Sequence, residues 1–253
     1  MYVSGKTHQG MVRSNNQDTF LTRLAEDKNE ALLVVCDGMG GAKAGNIASS
    51  IAAHTFADRM ESLLADGVPD TRALRIAVDY ANEAVFQQSI SDPELEGMGT
   101  TLVAARIHDK RAVLANVGDS RAYRIRGDEI IQLTRDHSYV QELFRQGKLT
   151  AEEVRCHPNR NLITRAVGVD EFVNTDVFEG ELAPTDLLLL CSDGLTSMLE
   201  DSEIVVTVNT SHSLEEATDR LVELACEHGG SDNITVILFT GAGIMKQGEA
   251  ENG

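Results

Sequence analysis

Hydrophobic residues recur along the chain in two rhythms, and each predicts a different element. Residues 31–36, "ALLVVC", are unbroken apolar, as expected for a strand covered on both faces, and "LLLLC" at 187–191 repeats the theme. Between 42 and 67 the spacing changes: Ile47, Ile51, Phe56, Met60, Leu63 and Leu64 fall near a helical period, with Gly67 as the stop. After Pro69 and a cap at Asp70, Leu74, Ala77, Val78, Ala81 and Val85 mark one face of a second helix. From 99 to 134 short β-rich runs are separated by Asp109-Lys110, Gly118-Asp119 and Gly127-Asp128, which predicts an antiparallel meander. Residues 136–170 are polar and irregular, the composition of a functional flap, with short helices predicted at 139–146 and at "TAEEV", where Thr150 and Glu153 fit a capping box. Ser213 with Glu216 caps a last helix carrying Leu214, Ala217, Leu221, Leu224 and Ala225, and "SDNITVILFT" closes the core as a strand. No linker or long repeat divides the chain, so residues 1–241 read as one domain followed by a short polar tail, 242–253, expected to fray.

Composition narrows the partners. The 253 residues include four prolines and no tryptophan, and 42% are hydrophobic, ample material for a core. The formal charge of −18, from 22 basic against 40 acidic side chains, disfavours nucleic acid and anionic membrane surfaces and favours divalent cations. Cys36, Cys156, Cys191 and Cys226 form no CxxC pair and read as reduced core residues, a cytoplasmic pattern. The N-terminal stretch has no basic start followed by an apolar block, and no apolar run nears the roughly 18 residues of a membrane span. A soluble, unexported protein is expected.

The chemistry concentrates where strands end. In "LLVVCDGMGG", residues 32–41, an apolar run stops at Asp37 and three of the next four residues are glycine. Asp193 follows the second apolar run and Asp232 precedes the third. Carboxylates at strand ends beside glycine can converge with backbone oxygens on one point, and an all-oxygen donor set selects a hard cation such as Mg²⁺ or Mn²⁺. A lone Asp-Gly is by itself an ordinary turn dipeptide. What separates these is the apolar strand behind each carboxylate, which delivers a charge to a desolvated rim where it needs a partner.

Six stretches now form an ordered series: "GMVRSNNQD" (10–18), "VVCDGMGG" (34–41), "GMGTT" (97–101), "ANVGDSRAY" (115–123), "LLCSDGLT" (189–196) and "SDNITVI" (231–237). The series resembles the successive motifs of metal-dependent serine/threonine protein phosphatases, the protein phosphatase 2C-like or PPM family, in its bacterial form. The resemblance implies an α+β fold, a four-layer α/β/β/α sandwich of two mostly antiparallel sheets flanked by helices, with a two-ion Mn²⁺ or Mg²⁺ site at one end. It casts Asp37 as the carboxylate bridging both ions, the Gly38 carbonyl as a ligand of one, and Asp193 and Asp232 as ligands of the other. Asp18 would act through bound water, Asp119 would help Asp193 hold a third, weaker ion, and Arg13 would clamp the phosphate. The implied reaction is hydrolysis of phosphoserine and phosphothreonine in proteins by a water bridging the two ions, with Asp37, Asp193 and Asp232 as the catalytic set. Two departures from the eukaryotic pattern stand out: Met39 replaces a histidine proposed as the acid, and Gln17 replaces a common glutamate.

Other residues carry weaker signals. His137 and His157 are candidate acids, but a single histidine in a flap is more often structural, and Arg155, Arg160 and Arg165 fit either a phosphopeptide or a solvated face. Two further functions fit the same scaffold: a catalytically silent phosphoprotein-binding domain, which would lack a metal aspartate, and a small-molecule phosphomonoesterase. The family pattern also suggests a cognate serine/threonine kinase and a monomer.

Overall fold

The protein is described by a computed structural model covering residues 1–25, 29–41 and 44–241; the expected helix start at Ala42 and the tail at 242–253 lie outside the described residues. The chain opens with β1 (Tyr2–His8), then a hairpin of β2 (Asp18–Ala25) and β3 (Glu30–Met39). Two long helices follow, α1 (Ala44–Ala65) and α2 (Asp70–Ser91), and then β4 (Gly99–Thr100), β5 (Leu102–His108), β6 (Arg111–Val117), β7 (Arg121–Arg126) and β8 (Glu129–Gln132). The flap carries α3 (Tyr139–Arg145) and α4 (Ala151–Cys156), the latter with the expected Thr150–Glu153 capping box. The remainder is β9 (Asp176–Glu181), β10 (Leu187–Cys191), the short α5 (Asp193–Thr196), α6 (Asp201–Asn209), α7 (Leu214–Glu227) and β11 (Ile234–Thr240).

Strand alternation builds the layers. Ala31, Leu33 and Val35 of β3 face a core shared with Leu188, Leu190, Ile237 and Phe239, which belong to the other sheet. Leu32, Val34 and Cys36 face the opposite way, onto Ala48, Ala52 and Phe56 of α1 and Leu74, Ala77 and Val78 of α2. On the far side Leu189, Cys191, Val236 and Leu238 meet Ile204, Val208, Leu221 and Ala225 of α6 and α7. The result is helices, sheet, sheet, helices. One sheet runs β2-β3-β5-β6-β9 with β4 paired to β3, the other β1-β11-β10-β7-β8, and every strand pairing recorded is antiparallel. Each fully buried leucine, such as Leu33 or Leu189, contributes about 1.5–3 kcal/mol to this packing.

Several expectations need correction. Of the three turns in the 99–134 segment, Asp109-Lys110 and Gly127-Asp128 do close hairpins, but Gly118-Asp119 carries the chain from β6 in one sheet to β7 in the other. Asp70 is not a cap: α2 is preceded by Pro69, and the Asp70 carboxylate turns instead to the buried Arg106, 3.7 Å away. Strand β3 does not stop at Cys36, because Gly38 and Met39 pair with Thr100 and Gly99 of β4. The buried stripe of α1 starts with the small residues Ala44, Gly45, Ala48, Ser49, Ala52 and Ala53, while Ile47 and Ile51 are only partly buried. All four cysteines are free, but Cys156 is exposed rather than in the core. Among the described residues no helix is long and apolar enough to cross a membrane.

Candidate active site

The row Ala31, Leu33, Val35 of β3 continues to Asp37, so a carboxylate terminates the apolar layer between the sheets. Antiparallel register sets Asp18 of β2 directly opposite Asp37, which puts both acids on the same face. The backbone of Asp37 is fixed on both sides: its N–H donates to Thr101 Oγ1 (2.9 Å), and its carbonyl accepts from Thr101 N (2.8 Å) and Thr100 Oγ1 (2.9 Å). Gly38 has no room for a side chain, since a Cβ there would lie 2.0 Å from the Gly45 carbonyl and 2.6 Å from that of Gln17. Gly45 in turn leaves the Gly38 carbonyl uncovered, its own Cβ position being 2.7 Å from that oxygen. Of the other two glycines in the segment, only Gly40 (φ +136°) needs the left-handed backbone.

The other acids arrive from the second sheet and from the crossing between sheets. Asp193 begins α5 one residue beyond the end of β10, after the N-cap Ser192, and Asp232 precedes β11 with its Oδ1 accepting from Asn233 N (2.8 Å). Asp119 sits on the crossing, where Ser120 bonds Thr101 (2.7 Å) and links the Asp119 and Asp37 segments through two buried hydroxyls. Arg13, half-exposed, donates through Nη2 to Asp232 Oδ2 at 2.6 Å. Arg13, Asp37, Gly38, Asp119, Asp193 and Asp232 together line one cavity of about 210 Å³, with Gln17, Met39, Thr101, Asn161 and Asn233 among its other walls. Asp18 does not line it; it is buried behind, accepting from Ser192 Oγ (2.8 Å) and Thr235 Oγ1 (2.6 Å).

Crowding of acids dominates the electrostatics. Asp18 is raised to about 7 and Asp193 to about 6, chiefly by burial, with like charges nearby adding to the rise and hydrogen bonds offsetting part of it. Asp37 lies well above the carboxylate range from burial and from Asp18, Asp193, Asp119 and Asp232, and Asp119 is raised by burial and by Asp193 and Asp136. The hydrogen bond to Asp232 raises Arg13. Among the described residues no three acidic, histidine or cysteine side chains converge closely enough to hold an ion as placed. Asp232 is engaged by Arg13, and Asp18 by two hydroxyls. Yet Asp18 Oδ1 and Asp193 Oδ1 are buried with no hydrogen-bond partner, an arrangement that costs roughly 1–3 kcal/mol per group unless something compensates. Hard oxygen donors, raised pKa values and two orphaned carboxylate oxygens fit a divalent cation.

Several participants escape sequence reasoning. Ser192 and Thr235 are invisible in the motifs except as residues close to Asp193 and Asn233, yet both hydroxyls hydrogen-bond the Asp18 carboxylate. Asn233 ties down the loop that carries Arg13: its Nδ2 donates to the carbonyls of Gln9 (2.8 Å) and Asn15 (2.9 Å), and its Oδ1 accepts from Gln17 N (2.8 Å). Gln17 closes the entry to α1 by donating to the Gly41 carbonyl (3.1 Å). His137 is buried, half-buried His157 packs its ring near Tyr139 (centroids 6.1 Å apart), and neither lines the cavity, so neither is placed as its acid. Arg160 lines an adjoining cavity of about 200 Å³ that shares Asp119, Asn161 and Asp193 with the first.

Comparison with known proteins agrees with this geometry. A family model described as "Protein phosphatase 2C" matches residues 5–236. The chain is 39% identical over 242 residues to the serine/threonine phosphatase stp of Listeria welshimeri, covering 94% of this chain and 95% of that protein. Among solved structures, the serine/threonine phosphatase Stp1 from Staphylococcus aureus superposes with a TM-score of 0.85 at 37% identity, covering 94% of each chain. The catalytic domain of the serine/threonine protein phosphatase PstP, crystallised with two manganese ions, gives a TM-score of 0.81 at 35% identity, covering 94% of this chain and 96% of that one.

Proposed function

This chain belongs to the protein phosphatase 2C family, and from that premise we propose that its acidic cavity hydrolyses phosphoserine and phosphothreonine esters in proteins, residues 1–241 acting as one catalytic domain. The observation that carries the reading is the meeting of Arg13, Asp37, Asp119, Asp193 and Asp232 around one cavity, with Asp18 and Asp193 each presenting a buried carboxylate oxygen that has no partner. Asp37, the Gly38 carbonyl, Asp193 and Asp232 would hold two Mn²⁺ or Mg²⁺ ions, Asp18 would support them from behind, and Asp119 with Asp193 would hold a third more weakly. Bound divalent cations supply a nucleophile from water at neutral pH and offset the charge of the phosphoryl group.

The chain's own residues do the rest. Arg13 rests on Asp232 through one nitrogen while its side chain stays half-exposed, so the guanidinium can turn to grip two phosphoryl oxygens at the cavity mouth. Thr100, Thr101 and Asn233 fix the backbone around Asp37 and Asp232, so the carboxylates need little reorganisation during reaction. Met39 on the cavity wall cannot donate a proton, and among the described residues no histidine lines the cavity, so solvent would supply the proton to the departing hydroxyl. The free cysteines support a reducing, cytoplasmic setting, and a serine/threonine kinase acting on the same proteins and a monomeric state complete the proposal.

Purified protein with manganese should release phosphate from phosphothreonine and phosphoserine peptides and from p-nitrophenyl phosphate, while Asp37→Asn and Asp193→Asn should not. Equal rates for wild type and both variants would refute the assignment. Turnover of sugar phosphates well above that of phosphopeptides would favour a metabolite substrate instead.

A further inference from the structure

His137 is not used by the reaction, yet its ring and its main chain both bond to residues that flank the site. Its main-chain N–H donates to the Gly118 carbonyl (2.9 Å), and the Gly118 N–H donates back to the ring at His137 Nδ1 (3.1 Å). An Nδ1 that accepts places the neutral ring's proton on Nε2, which lies 3.3 Å from Asp176 Oδ2. Arg165 shares that carboxylate through Oδ1 (3.0 Å) and stands 3.2 Å from Nε2. The carbonyl of His137 accepts from Thr164 N (2.8 Å), beside the bridge between Ser138 and Ile163, so the same residue fastens the returning leg of the flap.

Gly118 is the residue before Asp119, it needs the left-handed region (φ +102°), and a Cβ there would meet Thr101 at 2.6 Å. Nothing in the local sequence stiffens so permissive a residue, so its geometry depends on outside contacts. On the other side of Asp119, Ser120 is fixed by Thr101. Asp119 is thus held at both ends, by a hydroxyl at Ser120 and by an imidazole at Gly118.

We propose that His137 is a positioning residue: through the hydrogen bond its imidazole accepts from Gly118 N–H, added to the main-chain bond beside it, it aims Asp119 into the cavity, and through Asp176 and the main-chain bond from Thr164 it ties that aim to the flap. The inference rests on the metal-ion reading of Asp119, and its test separates the two. In metal-free protein, His137→Leu should speed deuterium exchange at the Gly118 amide by about tenfold or more, as expected for one lost hydrogen bond. His137→Asn, whose Oδ1 stands where Nδ1 did, should restore most of the protection. In manganese titration calorimetry, His137→Leu should weaken by about tenfold the same binding step that Asp119→Asn removes, leaving tighter binding unchanged. With p-nitrophenyl phosphate its kcat should fall at low manganese and recover at high manganese, which a general loss of packing would not produce. Should His137→Leu fail to fold, His137→Gln replaces it: its amide oxygen reaches toward the place of Nε2, and it should lose the Gly118 protection likewise. A folded Leu or Gln variant with unchanged exchange at Gly118 and unchanged manganese binding would overturn the proposal, as would Asn and Leu variants with equally lost protection. If wild type binds no manganese at all, the metal-ion reading of Asp119 fails, while the exchange results still decide the role of His137.

Discussion

At the scale of single residues the cavity is a set of charges that repel one another. Asp37 is raised by its burial and by four neighbouring aspartates, so replacing it with the neutral, nearly isosteric asparagine removes that repulsion. Asp37→Asn should therefore melt several degrees higher than wild type when both are metal-free, while its phosphatase kcat falls by about 10³-fold or more. Differential scanning calorimetry and p-nitrophenyl phosphate hydrolysis would show the opposed effects; a variant that is both less stable and inactive would mean that Asp37 serves structure instead. The same crowding gives the metal-free protein an unusual pH dependence. Asp18 near 7 and Asp193 near 6 in the folded state exceed the unfolded carboxylate value of about 3.9, so between these limits the folded state binds more protons than the unfolded one. Stability from these groups is fully present below about pH 4 and is lost as pH rises through about 6 to 7, the reverse of the usual aspartate. Metal-free protein should melt lower at about pH 7.5 than at about pH 5, and saturating Mn²⁺ should cancel the slope; a Tm that climbs over this interval without metal would contradict it.

At the scale of elements, the site depends on how closely α1 can approach the end of β3. The approach is set by two glycines, because Gly38 and Gly45 each point their absent side chain at the other's carbonyl. Gly38→Ala must push strand and helix apart, and a loss of about 3 kcal/mol in urea unfolding is expected, with activity falling in parallel. A cost under about 0.5 kcal/mol would mean that the contact relaxes freely. Such distances are not written in the pattern of apolar residues. That pattern did give α1, α2, α7, β3, β10 and β11, since these have clear periods or unbroken apolar runs ended by glycine, proline or a capping serine. It did not give α6, whose "EIVVTV" is rich in β-branched residues of modest helix propensity; the helix forms because Ile204, Val205 and Val208 bury against α7 and its neighbours, and Glu200 and Glu203 make a capping box. It also misread Gly118-Asp119, because a turn residue looks the same whether the chain returns to its own sheet or crosses to the next. The acids Asp37, Asp193 and Asp232 were legible as strand-end carboxylates, whereas the register opposing Asp18 to Asp37 and the hydroxyls of Ser192 and Thr235 required the folded pairing.

At the scale of the molecule, neither sheet owns the site. Asp18 and Asp37 come from one sheet, Asp193 and Asp232 from the other, and Asp119 from the chain that crosses between them. The cavity exists only while the two sheets are packed, so any ion bound by residues of both must favour the folded state. The overall charge of −18 adds a second, unspecific reason for cations to stabilise the fold, and the two can be separated. Screening acts on the whole surface and responds to ionic strength, whatever the ion. A built site responds to divalent ions at far lower concentration and vanishes with its ligands. At about 100 times its dissociation constant an ion contributes about 2.7 kcal/mol, which for a domain of this size corresponds to roughly 5–10 °C in Tm. Manganese should therefore raise the Tm of wild type by that amount as a single cooperative transition, NaCl at equal ionic strength should give at most a degree or two, and an Asp37→Asn, Asp193→Asn double variant should respond to both salts alike. If manganese and NaCl shift wild type equally, the acids at the sheet ends repel one another without forming a shared site, and the phosphatase assignment loses its physical basis.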